Sequence, residues 1–246
     1  MMTITTMITG IIMVTATHII MDSGALYRLM TWLSPSYPVG AFSYSHGLEW
    51  DVEEGRIHDA ASLIDWLRDI VELGGGFNDA VLLAHAWRAA ECGDDAALLN
   101  VIEYVLAFAG TAERRMETAH QGRAFCDVTC RTWGAATLTK LMMLTDEPIA
   151  YPVAVGVAAS DHEMALMPVL EAYGHGFAAN LISAGIRLVP LGHSDGQRVT
   201  MAIEPYVAAT AARAAAGDLT QMMSTTIMAD MASMKHETQY TRLFRT

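Results

Sequence analysis

Asp59-Ala-Ala-Ser-Leu-Ile-Asp-Trp-Leu-Arg-Asp-Ile-Val-Glu-Leu-Gly-Gly-Gly76 sets the class of the fold. Leu63, Ile64, Leu67, Ile70 and Val71 recur at helical spacing, while Asp65, Arg68, Asp69 and Glu72 lie off that stripe. Asp59 is a natural N-cap, and the three glycines stop the helix. The same grammar extends in both directions. Upstream, Leu26, Leu29, Met30 and Leu33 fall at i, i+3, i+4 and i+7, predicting a helix whose apolar stripe they form, ended by Pro35 and Pro38. A short helix is expected from Leu48 to Glu54, closed by Gly55.

Downstream, Asn78 reads as the cap of a fourth helix, and Asp94 with Asp95 as the start of a fifth. A charged helix from Thr111 to Phe125 has one face committed to ion pairs or to a partner. Pro148 and Pro152 interrupt the pattern, which resumes from Met164 to Val189 and ends at Pro190 and Gly192. Asp195 to Ala216 is again helical, with a kink at Pro205. No stretch alternates with period two and no repeat of solenoid length is visible, so the chain reads as all-α, a single irregular helical bundle. Residues 1–22 are expected to be a flexible leader, 23–221 the helical domain and 222–246 a Met-rich, partner-binding C-terminal tail. A secretory signal requires a basic start, whereas no Lys or Arg occurs before Arg28, and Met1, Met2, Met7, Met13 and Met21 each offer a start.

The 246 residues carry 15 Lys+Arg against 27 Asp+Glu, a formal net charge of -12, so phosphate backbones and anionic lipid surfaces repel the chain. Nucleic acid and membrane are therefore set aside as partners. The composition is 52% hydrophobic, apolar for a soluble protein, and buried partner surfaces are one use for that excess. Cys92, Cys126 and Cys130 are too few and too uneven for a disulfide framework and suit a reducing compartment.

Catalytic patterns are sparse. No phosphate-cradling P-loop is present, and Gly74, Gly75 and Gly76 read as a helix stop. Ser43, Ser45 and His46 lie together, but the G-x-S-x-G elbow of a serine hydrolase is missing, which leaves a small hydrolase using Ser45 and His46 as an alternative only. Cys126 and Cys130, four apart, align two thiols on a helix face and supply at most half a metal site, the basis of a metal-storing alternative. Asp161-His162-Glu163 reads as a solvated turn. Arg114 and Arg115 suit salt bridges, or an arginine finger offered to a partner GTPase.

One run is too unusual to be generic: Trp32-Leu-Ser-Pro-Ser-Tyr-Pro-Val-Gly-Ala-Phe-Ser-Tyr-Ser-His-Gly-Leu-Glu49 closely resembles the N-terminal motif of the urease accessory protein UreF family. Glu113-Arg-Arg-Met-Glu117 and Arg187-Leu-Val-Pro-Leu-Gly192 with Asp195-Gly-Gln197 agree with it. So do Ser233-Met-Lys-His-Glu237 and Tyr240-Thr-Arg-Leu-Phe244, and the ordered motifs span Leu26 to Thr246. The resemblance implies an all-helical, cytoplasmic homodimer that is not itself an enzyme. It implies a nickel-insertion chaperone that bridges the UreG GTPase to UreD (also called UreH) and apo-urease, and couples GTP hydrolysis to Ni²⁺ delivery. Nickel and GTP are then handled by the partner, with no cofactor and no metal site in this chain.

By the same resemblance the partner-binding residues are Phe42, Tyr44, His46, Glu49, Arg187, Asp195, Gln197, His236, Glu237, Tyr240, Arg242 and Phe244. Phe42, Tyr44 and Arg242 look like determinants of the GTPase-docking surface, and residues 222–246 like the segment that orders on UreD. Phe42 stands where many relatives carry Tyr. Lys235 replaces the usual arginine, and an ammonium does not copy the planar guanidinium fork. For Arg187, Asp195 and Gln197 a helix end after Leu188 and a capped start near Asp195 are an equal explanation without any partner.

Overall fold

The structure is a computed structural model, and it describes residues 22–108, 110–222 and 225–245. The expected leader lies outside this range except for its last residue. Among the described residues there are eleven α-helices and no strand. The helices are α1 Ser23–Trp32, α2 Leu48–Glu53, α3 Ala60–Leu73, α4 Gly75–Glu91, α5 Asp95–Phe108 and α6 Ala112–Thr132. They continue as α7 Ala136–Leu144, α8 Tyr151–Asp161, α9 Leu166–Leu188, α10 His193–Ala216 and α11 Ile227–His236.

Two apolar clusters divide the interior. The first gathers α1, α4, α5, α6, α7 and α8 around Trp32, Leu83, Ile102, Phe125, Leu138 and Val155. The second is built by α2, α3, α9 and α10 around Leu48, Leu63, Leu67, Leu181 and Ile203, and Phe244 from the chain's end closes it. Helix α8 lies at the centre, buried on every side from Pro152 to Ser160. Small residues let its neighbours come close: a Cβ on Gly156 would lie 2.5 Å from the Leu83 carbonyl of α4, and one on Gly122 of α6 would lie 2.0 Å from the Ile149 carbonyl. Backbone contact of that kind leaves no room for even a methyl group.

The caps follow the residue chemistry. Asp59 and Ser62 form a capping box at α3, Asp22 accepts from the Gly24 and Ala25 amides at α1, and Thr111 accepts from the Arg114 amide at α6. Several expectations need correction. The buried face of α1 is Ala25, Leu29 and Trp32, whereas Leu26 and Met30 are exposed; aromatic burial of Trp32 outweighs the aliphatic stripe. Only Gly74 separates α3 from α4, since Gly75 and Gly76 already lie in the first turn of α4 and Asn78 is inside that helix, not its cap. Pro152 opens α8 instead of breaking a helix, because its missing N–H falls in the first turn where no partner is needed.

Asp161, expected in a solvated turn, is half-buried and accepts from the Thr137 and Leu138 amides at the start of α7. The stretch expected to form a tail packs, between 225 and 245, on the body. Its helix α11 lies against α2 and α6, with Ala232, Ser233 and His236 buried.

Candidate functional site: a polar core beneath the motif loop

The loop from α1 to α2 is folded by local backbone demands. Gly40 and Gly47 both adopt left-handed φ, +74° and +81°, and between them Ala41–Ser43 makes a single 3-10 turn. Gly47 is doubly required, because a Cβ there would lie 2.6 Å from the Ser233 amide nitrogen of α11. His46 also has positive φ (56°), a conformation costing a non-glycine residue about 1–2 kcal/mol. Its side chain accounts for that strain: Nε2 lies 2.8 Å from Glu117 Oε1, and the ring packs edge-on against Phe177 at 5.0 Å.

Helix α6 carries two carboxylates inward, one turn apart. Glu117 meets His46, accepts from Arg114 Nη1 at 2.7 Å and from Gln121 Nε2 at 2.9 Å. Arg114 also touches the His46 ring. Burial and the Arg114 guanidinium push His46 below the usual imidazole value. Burial opposes ionisation of Glu117, but His46 and Arg114 outweigh it and hold the carboxyl below the usual carboxylate range. Beside this group Asp79 of α4 accepts from the Tyr173 hydroxyl at 2.9 Å, and burial pushes its carboxyl up to about 6.

Glu113, four residues earlier, serves the chain's end. Both its oxygens lie within 3.1 Å of His236 Nδ1, and Oε1 pairs with Arg242 at 3.3 Å. On the other side of the ring, His236 Nε2 lies 3.1 Å from Glu49 Oε2 of α2. Glu49 completes its set by accepting from the Leu243 and Phe244 amides at 2.6 and 2.9 Å. His236 is 0% exposed. The Thr111 and Ser233 hydroxyls share a buried hydrogen bond at 2.9 Å, fixing α11 to the start of α6.

The outer rim is tied to the same core. Arg245 N donates to the Ser43 carbonyl at 2.8 Å. Arg187 donates to the Phe42 carbonyl at 3.0 Å, and its guanidinium stands 4.4 Å over the Phe244 ring. The Tyr44 hydroxyl faces His120 Nδ1 at 3.5 Å, and burial, then Glu117, raises its pKa.

Sequence positions separated by up to 195 residues therefore converge. Of the twelve residues singled out, Phe42, Tyr44, His46, Glu49, Arg187, His236, Arg242 and Phe244 belong to this assembly. Tyr44, His46, Glu49, His236 and Phe244 are its buried interior. Phe42 (63% exposed), Arg187 and Arg242 form its accessible side. Glu237 and Tyr240 are exposed on the C-terminal stretch. Asp195 and Gln197 stand apart from these bonds: Asp195 accepts from the Gly192 amide and pairs with Arg198 at the start of α10, while Gln197 lines a groove with His175 and Met201. For Asp195 the capping explanation is the one seen.

Sequence reasoning passed over Glu113, Glu117 and Gln121 as inward anchors. Their signal was available, since three polar residues at successive i, i+4 positions occupy one helix face. Asp79 and Tyr173 carried no comparable signal.

Ser45 is 0% exposed and His46 is buried with Nε2 taken by Glu117 and Arg114, so a substrate has no path to the hydroxyl. Cys126 is buried and its thiol is pushed up to about 12, chiefly by burial, which disfavours the thiolate that binds soft metals. Among the described residues no helix is long and apolar enough to cross a membrane.

Comparison with known proteins agrees with the motifs. The UreF family profile matches residues 57–204. A urease accessory protein UreF of Rhodopseudomonas palustris (strain BisA53) is 53% identical over 223 residues, covering 91% of this chain and 94% of the relative. UreF proteins of Bradyrhizobium diazoefficiens and Methylobacterium radiotolerans are each 50% identical, over 91% and 89% of this chain and 93% and 95% of theirs. With a family profile over more than half of the chain and relatives at about 50% identity over some nine-tenths of it, the chain belongs to the UreF family of urease accessory proteins.

Proposed function

We propose that this chain acts without catalysis of its own, as an adaptor that bridges the UreG GTPase to UreD/UreH and apo-urease. In this reading it couples GTP hydrolysis to Ni²⁺ delivery in the cytoplasm, as a homodimer. Nickel and GTP are cargo and substrate of the partner, and no cofactor resides in this chain. The observation that carries the reading is the convergence of the motif residues: His46, Glu49, Glu113, Glu117 and His236 spend their polar atoms inside the fold, on one another and on Arg114, Gln121, Arg242 and the Leu243 and Phe244 amides. What remains accessible is a rim of Phe42, Arg187, Arg242 and Tyr240, the aromatic and arginine chemistry favoured at protein interfaces.

The outer face of α11 adds Met228, Met231 and Met234, all exposed, and flexible thioethers suit an adaptable apolar contact with UreD. Co-expression with the cognate UreD and UreG tests the reading: the three chains should co-elute, and GTP turnover should be found only in fractions holding UreG. Failure of this chain to associate with either partner removes it.

A further inference from the structure

His236 is held in a way that requires a particular protonation state. Both ring nitrogens face carboxylates, Glu113 through Nδ1 and Glu49 through Nε2, at 3.0–3.1 Å. A neutral imidazole has one N–H, so it would turn a lone pair toward one of these two anions. Only the imidazolium satisfies both. The surrounding charges are few and engaged. From α2 come Glu49 and Glu53, the latter bonded to Gln239. From α6 comes Glu113, with Glu117 and Arg114 one turn on and occupied with His46. From the C-terminal segment come Arg242 and the exposed Glu237, and on α11 itself Lys235 is exposed.

We propose that His236 is a proton-held latch, which when doubly protonated clamps Glu49 to Glu113 and seats residues 237–245 on the Phe42 loop, and which releases that segment when the proton leaves.

The energetic direction agrees with the geometry. Burial works against the charged ring, and the hydrogen bonds and charges of Glu113 and Glu49 outweigh it, raising the His236 pKa. A histidine raised in the closed state contributes seating that is complete below the open-state value of about 6.5 and is lost as pH rises through the closed-state value. Deprotonation leaves Glu49 and Glu113 answered only by Arg242 and two backbone amides. Glu49 is the acceptor for Leu243 and Phe244, so weakening it frees the Phe244 ring beneath Arg187 and the Arg245 amide on Ser43. An alkaline rise thus remodels the rim that carries Phe42, Arg187 and Arg242. The latch is a property of the free chain and stands apart from the identity of any partner.

Hydrogen–deuterium exchange of the full chain, corrected for intrinsic rates, reads it between pH ~6 and ~9. Protection of residues 237–245 should fall about tenfold for each pH unit separating closed-state and open-state values, while α4 and α8 keep theirs. In the same sample the His236 ring, followed by NMR, should be imidazolium at pH ~6 and titrate with a midpoint at the pH where the loss of protection levels off. Glu113→Gln should move that midpoint down, and His236→Gln should abolish the pH step. Constant protection across the range overturns the latch, as does a ring that is neutral at pH ~6. If His236→Gln does not fold, the unaltered protein decides: a ring titration midpoint that does not coincide with the upper end of the protection loss overturns it.

Discussion

Glu49→Ala is the sharpest perturbation of the polar core. Glu49 accepts from His236 Nε2, Leu243 N and Phe244 N, so its removal leaves three donors, one of them on the His236 ring, without their acceptor. Kept in place, that arrangement costs about 3–5 kcal/mol, the usual penalty for stripping one partner from a buried ion pair. The chain's end has a cheaper course, because residues 237–245 can lift off and take their amides into water. Lifting off forfeits the burial of Phe244, about 2–3 kcal/mol, and its contact with Arg187, about 0.5–1 kcal/mol.

The smaller sum wins, so the expected loss is about 3 kcal/mol, expressed as release of the segment and not as collapse of the α4–α8 core. Native-state trypsin cleavage after Arg242 should accelerate about a hundredfold, the equivalent of that free energy. The urea midpoint of the core should shift far less. Glu49→Gln, which keeps an acceptor but not the charge, should fall between. Unchanged cleavage in Glu49→Ala would mean that the carboxylate contributes nothing to seating the chain's end.

Gly47→Ala should unseat α11 by a steric route: a left-handed alanine costs about 1–2 kcal/mol and its Cβ would lie 2.6 Å from Ser233 N, so exchange at 227–236 should rise while α8 is unaffected. Gly122→Ala should instead strike the core, lowering Tm by several degrees or preventing folding, because its Cβ would lie 2.0 Å from the Ile149 carbonyl. Asp79 has its carboxyl raised from 3.8 to about 6, so its ionisation opposes folding as pH climbs through that interval. Asp79→Asn, still an acceptor for Tyr173, should therefore be more stable than the parent by about 1–3 kcal/mol at pH ~7.5, and no more stable near pH ~3.5, in urea titrations.

How far the sequence could be read depended on whether a residue's role was local. Helix α3 announces itself because its apolar residues occupy one side and its cap lies three residues from the amide it serves. Helix α8 carries no such period: it is apolar all round since it is buried all round, and the eye finds Pro152 first. In α1 the aliphatic spacing pointed to Leu26 and Met30, whereas Trp32, packed against Phe125 and Trp133, decides the buried face. The motif residues could be found by resemblance, but their roles could not. Nothing near Glu49 hints that it holds the amide of Phe244, and nothing near Asp161 hints that it caps α7 from 23 and 24 residues away. Buried charge is fixed by partners in space, so its sequence signal is weak unless, as at Glu113, Glu117 and Gln121, the residues share one helix face.

The proposed function gives the convergent core one task, to display a protein-binding rim. It is tested most directly by measuring the affinity of the purified chain for its cognate UreD and UreG, for the parent, Phe42→Ala and Met143→Ala, an exposed methionine on α7 away from the motifs. A stable three-component complex is expected, weakened about thirtyfold by Phe42→Ala, the equivalent of about 2 kcal/mol for a central aromatic contact, and untouched by Met143→Ala. Equal affinities for the parent and a correctly folded Phe42→Ala, or no complex at all, would contradict it.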